Sequence, residues 1–117
     1  MTAAPADRQE PAVDTLHRLE ATIAARAGAD PAASYVAKLR SAGLPRIARK
    51  LGEEAVEAVV AALSADDDAL RGEAADLLFH LLVLLGHRGI ALAEVLAELD
   101  RREGLSGLAE KAARKEG

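Results

Sequence analysis

The chain has no cysteine and no tryptophan, and only one tyrosine and one phenylalanine in 117 residues. Without cysteine there are no disulfides, no thiolate zinc sites and no cysteine nucleophile, which fits a reducing compartment. With so few rings, any core must be built from Leu, Val, Ile and Ala. Long apolar runs are missing too. The longest, Leu77 to Leu85, is interrupted by His80 and stops at Gly86, well short of a bilayer span. The N-terminus carries acidic residues and no apolar stretch of the kind a secretory signal needs. There is no excess of positive charge: 15 Lys and Arg face 19 Asp and Glu, a formal net charge of −4. Neither nucleic acid nor an anionic membrane is favoured as a partner. The expected location is the cytoplasm.

What is present is helical. Half of the residues are hydrophobic and 29% are charged, the balance of a folded domain rather than a disordered chain. No segment alternates apolar and polar with the period of a strand, and alanine, the best helix former, is abundant. The expected fold is all-α, a bundle of about four to five helices in one domain over residues 14–115, preceded by a flexible tail over residues 1–13. Asp14 or Thr15 caps a first helix carrying Leu16, Leu19 and Ile23, ending near Gly28. Asp30-Pro31 marks a restart, and a short second helix through Ser34 to Leu39 stops at Gly43. Pro45 opens a third helix to about Leu63. A fourth runs from about Asp67 to Leu85 and breaks at Gly86. A fifth follows from Ile90 to Arg102 and ends at Gly104, with one short basic helix after it. The fourth helix is apolar all round and should be buried on most sides. One small chain has few helices with which to do that, so a homodimer sharing a helical core is expected.

Two acidic pairs stand out, Glu54 with Glu57 and Glu73 with Asp76, each spaced i, i+3. Residues three apart lie on one face of a helix. With Asp76 at zero and about 100° per residue, His80 falls near +40° and Glu73 near +60°, with Val83 and Leu84 on either side. The polar line sits inside an apolar surface. Two like charges about 5 Å apart repel by roughly 3 kcal/mol at an effective dielectric near 20, so four converging carboxylates call for protonation or for a cation. Oxygen ligands without cysteine point to Mg²⁺, with Mn²⁺ as the alternative. The chemistry that suits such an ion is phosphoanhydride hydrolysis. No glycine-rich phosphate loop is present, so cations must serve. The candidates are Arg49 and Lys50 beside the acidic pair, Lys38 and Arg40 on the preceding helix, and Lys111, Arg114 and Lys115 near the end. Lys50 is the strongest, being about one turn from Glu54 on the same face. Some of these side chains also have an ordinary explanation: Glu54 and Glu57 could pair with Lys50 or Arg46, and His80 could be a core histidine bonded to Asp76 or Glu73.

The order Glu-x-x-Glu, spacer, Glu-x-x-Asp resembles the all-α nucleoside triphosphate pyrophosphatases, the MazG-like superfamily. The segments Ser34 to Leu39, Ile47 to Ala55, Glu73 to Leu85 and Ser106 to Ala112 resemble the phosphoribosyl-ATP pyrophosphatase family, over about residues 15–114. That likeness implies Mg²⁺-dependent hydrolysis of phosphoribosyl-ATP to phosphoribosyl-AMP and pyrophosphate, the second step of histidine biosynthesis, by a helical homodimer. It implies Glu54, Glu57, Glu73 and Asp76 as metal ligands and Glu53 with Glu54 as catalytic carboxylates, Glu53 orienting water. It places Ser34, Tyr35, Lys38, Arg49, Lys50 and His80 toward the substrate. Val36, Phe79 and Leu51 depart from the family's frequent Thr, Tyr and Val and leave the carboxylates intact. The fused cyclohydrolase found beside this activity in many bacteria needs cysteine zinc ligands, so a stand-alone enzyme is expected. Two rival readings share the sequence: a house-cleaning nucleotide pyrophosphatase with the same metal site, and a non-enzymatic dimerisation module whose carboxylates are merely solvated.

Overall fold

The computed structural model describes residues 11–64, 66–104 and 114, with side chains from residue 15 onward. The expected C-terminal basic helix, the Ser106 to Ala112 segment, Lys111 and Lys115 lie outside the described residues, as does most of the expected N-terminal tail. Five helices make up the described chain: α1 (Pro11–Arg26), α2 (Tyr35–Ala42), α3 (Leu44–Ser64), α4 (Asp67–His87) and α5 (Leu92–Arg102). No strand occurs among the described residues.

Most helix ends follow from local chemistry. The described part of α1 begins at Pro11, ahead of the expected caps Asp14 and Thr15. Ser34 caps α2, its Oγ accepting the Ala37 N–H at 3.2 Å. Asp66 does the same for α4, accepting from Ala69 N–H at 2.8 Å, with Asp67 and Asp68 in the first turn. Asp30-Pro31 does not start a helix. Asp30 instead accepts the Ala32 N–H on its side chain and the Ala33 N–H on its carbonyl, closing a single turn. Nor does Gly86 break α4. The helix continues to His87, and the reversal falls at Gly89, whose φ of 74° suits glycine.

The α2–α3 junction is a single residue. Gly43, at φ 98°, donates its N–H to the carbonyls of Leu39 and Arg40 and accepts the Ile47 N–H on its own carbonyl. It closes one helix and opens the next. At the other end of the molecule α5 turns 109° away from α4. Its first N–H groups are taken by two carboxylates: Glu94 accepts from Ala91 at 3.0 Å, and Glu20 reaches across from α1 to accept from Leu92 at 2.7 Å.

The two 21-residue helices α3 and α4 form the most extensive packing, a long hairpin. The apolar core gathers at one end of it: Ile23, Val36, Leu39, Ile47, Leu82, Val83 and Leu92, with Phe79, Leu85 and Leu96 packed around them. Each fully buried aliphatic chain contributes about 1.5–3 kcal/mol. The expectation that α4 is buried on most sides is not met within one chain. Its buried residues are His80, Leu82 and Val83, and Leu78 is exposed. The far half of α3 is barer still, with Val56, Val59, Val60 and Leu63 all more than half exposed. No single helix among the described residues is long and apolar enough to cross a membrane.

Candidate active site

The buried residues of α3 are Ile47, Glu54 and Ala61, spaced at seven-residue intervals. Such a repeat drifts only about 20° around the helix per step, so the three form one stripe facing α4. Glu54 occupies a core position in it, 5% exposed. A carboxylate there must find partners. Two are close. Lys50, one turn back, places Nζ 3.4 Å from Glu54 Oε2. Across the hairpin stands Glu73 of α4, and Glu57 completes the group. One carboxylate oxygen from each of Glu54, Glu57 and Glu73 lies within 4.8 Å of the others.

Glu73 shows the cost of this arrangement. Its Oε1 is sealed from solvent and has no hydrogen-bond donor. Loss of solvent, the facing Glu57 carboxyl, and the charges of Asp76 and Glu54 together raise its pKa above the ordinary 4.5. Two carboxylates bond to each other only through a proton, so the site at neutral pH has a place for a positive charge. Three carboxylates that close together, with Glu73 Oε1 unpartnered, fit a hard divalent cation that keeps its remaining positions for water or phosphate.

Asp76 is not within that triad. It is exposed, one turn along α4, and acts on the cluster through its charge on Glu73 and on Tyr35. Glu53 also stands outside it. It bridges Arg49 at 3.9 Å and Lys50 at 3.7 Å, and with Arg49, Gly52, Val56 and Glu57 it lines a groove of about 620 Å³ along the outer side of α3. Glu57 belongs to both groove and triad. The Lys50 ammonium is held charged above its usual range, first by its hydrogen bond to Glu54 and then by Tyr35 and Glu53.

His80 is 6% exposed and spends both ring nitrogens inside the protein. Nδ1 lies 2.7 Å from the Asp76 carbonyl and Nε2 2.9 Å from the Tyr35 hydroxyl. A carbonyl only accepts, so Nδ1 carries the proton. In the neutral ring Nε2 then accepts, and Tyr35 donates. Burial, the largest influence on Tyr35, pushes its phenol up, opposed in part by Lys50 and reinforced by Glu54; the hydroxyl keeps its proton. The Tyr35 ring stacks on Phe79 at 6.0 Å and meets His80 edge-on at 5.7 Å. The start of α2 is thereby fastened to the turn of α4 that carries Asp76.

The remaining sequence candidates are distributed around this centre. Ser34 is occupied as the α2 cap. Tyr35, Lys38 and Lys50 share one hollow of about 410 Å³ between α2 and α3 with Leu39, Ala42 and Arg46. Arg46 was not among the residues placed toward the substrate. The signal for it is present: it precedes Lys50 by one turn, on the same face.

Residues 16–103 match the family described as phosphoribosyl-ATP pyrophosphohydrolase. Curated proteins named phosphoribosyl-ATP pyrophosphatase are similar over nearly their whole length. The one from Erythrobacter litoralis is 67% identical over 102 residues, 87% of this chain and 98% of the relative. That from Rhizorhabdus wittichii is 66% identical over 103 residues, 88% and 97%, and that from Novosphingobium aromaticivorans 62% over 101 residues, 86% and 94%. With its helical hairpin, its carboxylate triad and this match, the chain belongs to the phosphoribosyl-ATP pyrophosphohydrolase family.

Proposed function

We propose that the chain hydrolyses phosphoribosyl-ATP to phosphoribosyl-AMP and pyrophosphate, the second step of histidine biosynthesis, with Mg²⁺ as the preferred ion and Mn²⁺ as a substitute. The observation that carries this is the triad of Glu54, Glu57 and Glu73 with its donor-less Glu73 Oε1, in a chain that belongs to this family. Glu54, Glu57 and Glu73 would hold the ion, with Asp76 at the edge of the site as a fourth ligand, direct or through water. The ion supplies charge neutralisation of the polyphosphate and a more acidic attacking water. Glu53, anchored by Arg49 and Lys50, orients that water. Water adds to phosphorus, the phosphoanhydride P–O bond breaks, and pyrophosphate leaves. Lys50 screens Glu54 and offers its ammonium to the polyphosphate. Arg49, Lys38, Ser34 and Tyr35 flank the substrate. His80 acts one layer beneath them by fixing Tyr35.

The working unit is proposed to be a homodimer of single all-α domains acting in the cytoplasm, without nucleic acid or membrane as partners. Support comes from Val56, Val59, Val60 and Leu63, which form an i, i+3, i+4, i+7 row on α3 with no cover from this chain.

Release of pyrophosphate from phosphoribosyl-ATP tests the assignment, alongside a panel of ribo- and deoxyribonucleoside triphosphates. Turnover is expected only with divalent cation and is expected to fall by at least about a hundredfold in Glu54→Gln and Glu73→Gln. Faster release from a deoxynucleoside triphosphate would transfer the assignment to a house-cleaning enzyme.

A further inference from the structure

Carboxylates gathered without a counterion call for a cation. The hollow between α2 and α3 presents the reverse case. Its wall carries Lys38, Arg46 and Lys50. Lys50 is compensated by Glu53 and Glu54, whereas Lys38 and Arg46 form no ion pair among the described residues. Such a cluster is unexpected in a chain of net charge −4, and like charges around one concavity favour an anion.

The position of the hollow narrows which anion. Lys50 is a shared wall, since its Nζ lies 3.4 Å from Glu54 of the carboxylate triad. One ligand can therefore occupy both places. Phosphoribosyl-ATP is anionic at two ends, with a triphosphate on one ribose and a phosphate monoester on the other. A cation held by the triad accounts for the triphosphate. The monoester needs protein cations of its own. Arg46 offers a planar fork that matches phosphate oxygens, and Lys38 a mobile point charge.

The third wall group agrees. With the imidazole neutral, the Tyr35 hydroxyl donates to His80 Nε2 at 2.9 Å, because the ring's one proton is on Nδ1 and goes to the Asp76 carbonyl. Toward the hollow it shows only lone pairs. With its proton engaged at His80, it accepts from a sugar hydroxyl rather than donating to a phosphate. The hollow thus has acceptor character at Tyr35 and cationic character at Lys38 and Arg46, the order of a ribose followed by its phosphate.

We propose that this hollow is the subsite for the phosphoribosyl arm, with Lys38 and Arg46 binding its phosphate monoester and Tyr35 its ribose, and that it separates phosphoribosyl-ATP from ordinary nucleoside triphosphates. This rests on the function proposed above. Its test compares phosphoribosyl-ATP with the same nucleotide lacking the phosphate on the N1-linked ribose, in wild type and in Lys38→Gln/Arg46→Gln. Both side chains are exposed, and circular dichroism checks that the variant is folded. Wild type is expected to prefer the phosphorylated substrate by about a hundredfold in kcat/KM. The variant is expected to lose most of that preference through KM, with Arg46→Lys alone keeping part of it. A variant that retains the preference, an equal loss on both substrates, or a wild type without preference would each overturn the subsite. Absence of pyrophosphate release from phosphoribosyl-ATP by wild type would instead sink the function itself.

Discussion

The Tyr35 hydroxyl lies 2.9 Å from His80 Nε2, joining residues 45 apart in the chain. Two consequences can be separated. Tyr35→Phe keeps the ring on Phe79 and removes only the hydroxyl. It should cost about 1 kcal/mol in urea unfolding, the value of one hydrogen bond with a buried acceptor left behind. It should raise KM for phosphoribosyl-ATP while leaving most of kcat. His80→Ala opens a hole behind Tyr35 and should cost more, about 2–3 kcal/mol. If Tyr35→Phe instead lowered kcat and left KM alone, the hydroxyl would be part of the chemistry rather than of binding.

Glu73 makes the metal-free protein sensitive to pH. Its folded-state pKa is raised above the ordinary 4.5, chiefly by loss of solvent and by Glu57. The folded form therefore holds its proton more tightly than the unfolded chain does. Its contribution to stability is full below the unfolded pKa and is lost as pH rises through the folded one. In metal-free buffer, melting temperatures of wild type should fall relative to Glu73→Gln between about pH 4.5 and neutrality. Saturating Mg²⁺ should reverse the order at neutral pH, because the ion requires the carboxylate. Parallel melting curves for the two proteins across that range would count against the crowded site.

Leu63 is 84% exposed, and it ends the row begun by Val56. For an isolated chain, Val59→Glu/Leu63→Glu should be neutral or mildly stabilising. In a dimer it buries two charges per subunit without partners. Sedimentation should show wild type at twice the monomer mass and the variant at the monomer mass. Wild-type melting should depend on protein concentration and that of the variant should not. A wild-type monomer at micromolar concentration would remove the dimer from the proposal.

Glu20 holds the first turn of α5 from a different helix, 72 residues away. Glu20→Ala should lose about 1–2 kcal/mol. Glu20→Gln should lose less, because its amide oxygen still accepts. Hydrogen exchange should rise in residues 92–95 in the same order. Equal exchange in all three proteins would show that packing of Leu92 and Leu96, not the cap, holds α5.

Much of this architecture could be read in advance. Five helices, the start of α4 near Asp67 and the stop at Gly43 follow from spacing and caps. Two places did not. Asp30-Pro31 and Ser34 both qualify as helix starts, and the choice depends on a distant fact, the docking of Tyr35 on Phe79 and His80. Gly86 and Gly89 look alike in sequence, yet only Gly89 takes a positive φ. In the site, the helical wheel put Asp76, His80 and Glu73 on one side of α4. It carried no depth: His80 is buried and Asp76 exposed. The stripe Ile47, Glu54, Ala61 follows one side of α3 by its seven-residue spacing, yet that spacing does not say that this side faces α4. Arg46 is legible from its place one turn before Lys50, but the hollow it lines is not, because the opposite wall belongs to α2.

The single-residue joint at Gly43 also bears on how such an enzyme could change its diet. The carboxylates stand on α3 and α4, while Tyr35 and Lys38 stand on α2, an eight-residue helix attached through that joint. The proposed subsite is thus shared between α2, with Tyr35 and Lys38, and the first turns of α3, with Arg46 and Lys50, while the carboxylates lie further along α3 and on α4. Substitutions on the short helix would change one wall of the proposed subsite and leave the carboxylates in place, whereas lengthening the joint would shift all of α2 against α3. Retargeting should therefore come by substitution at fixed length.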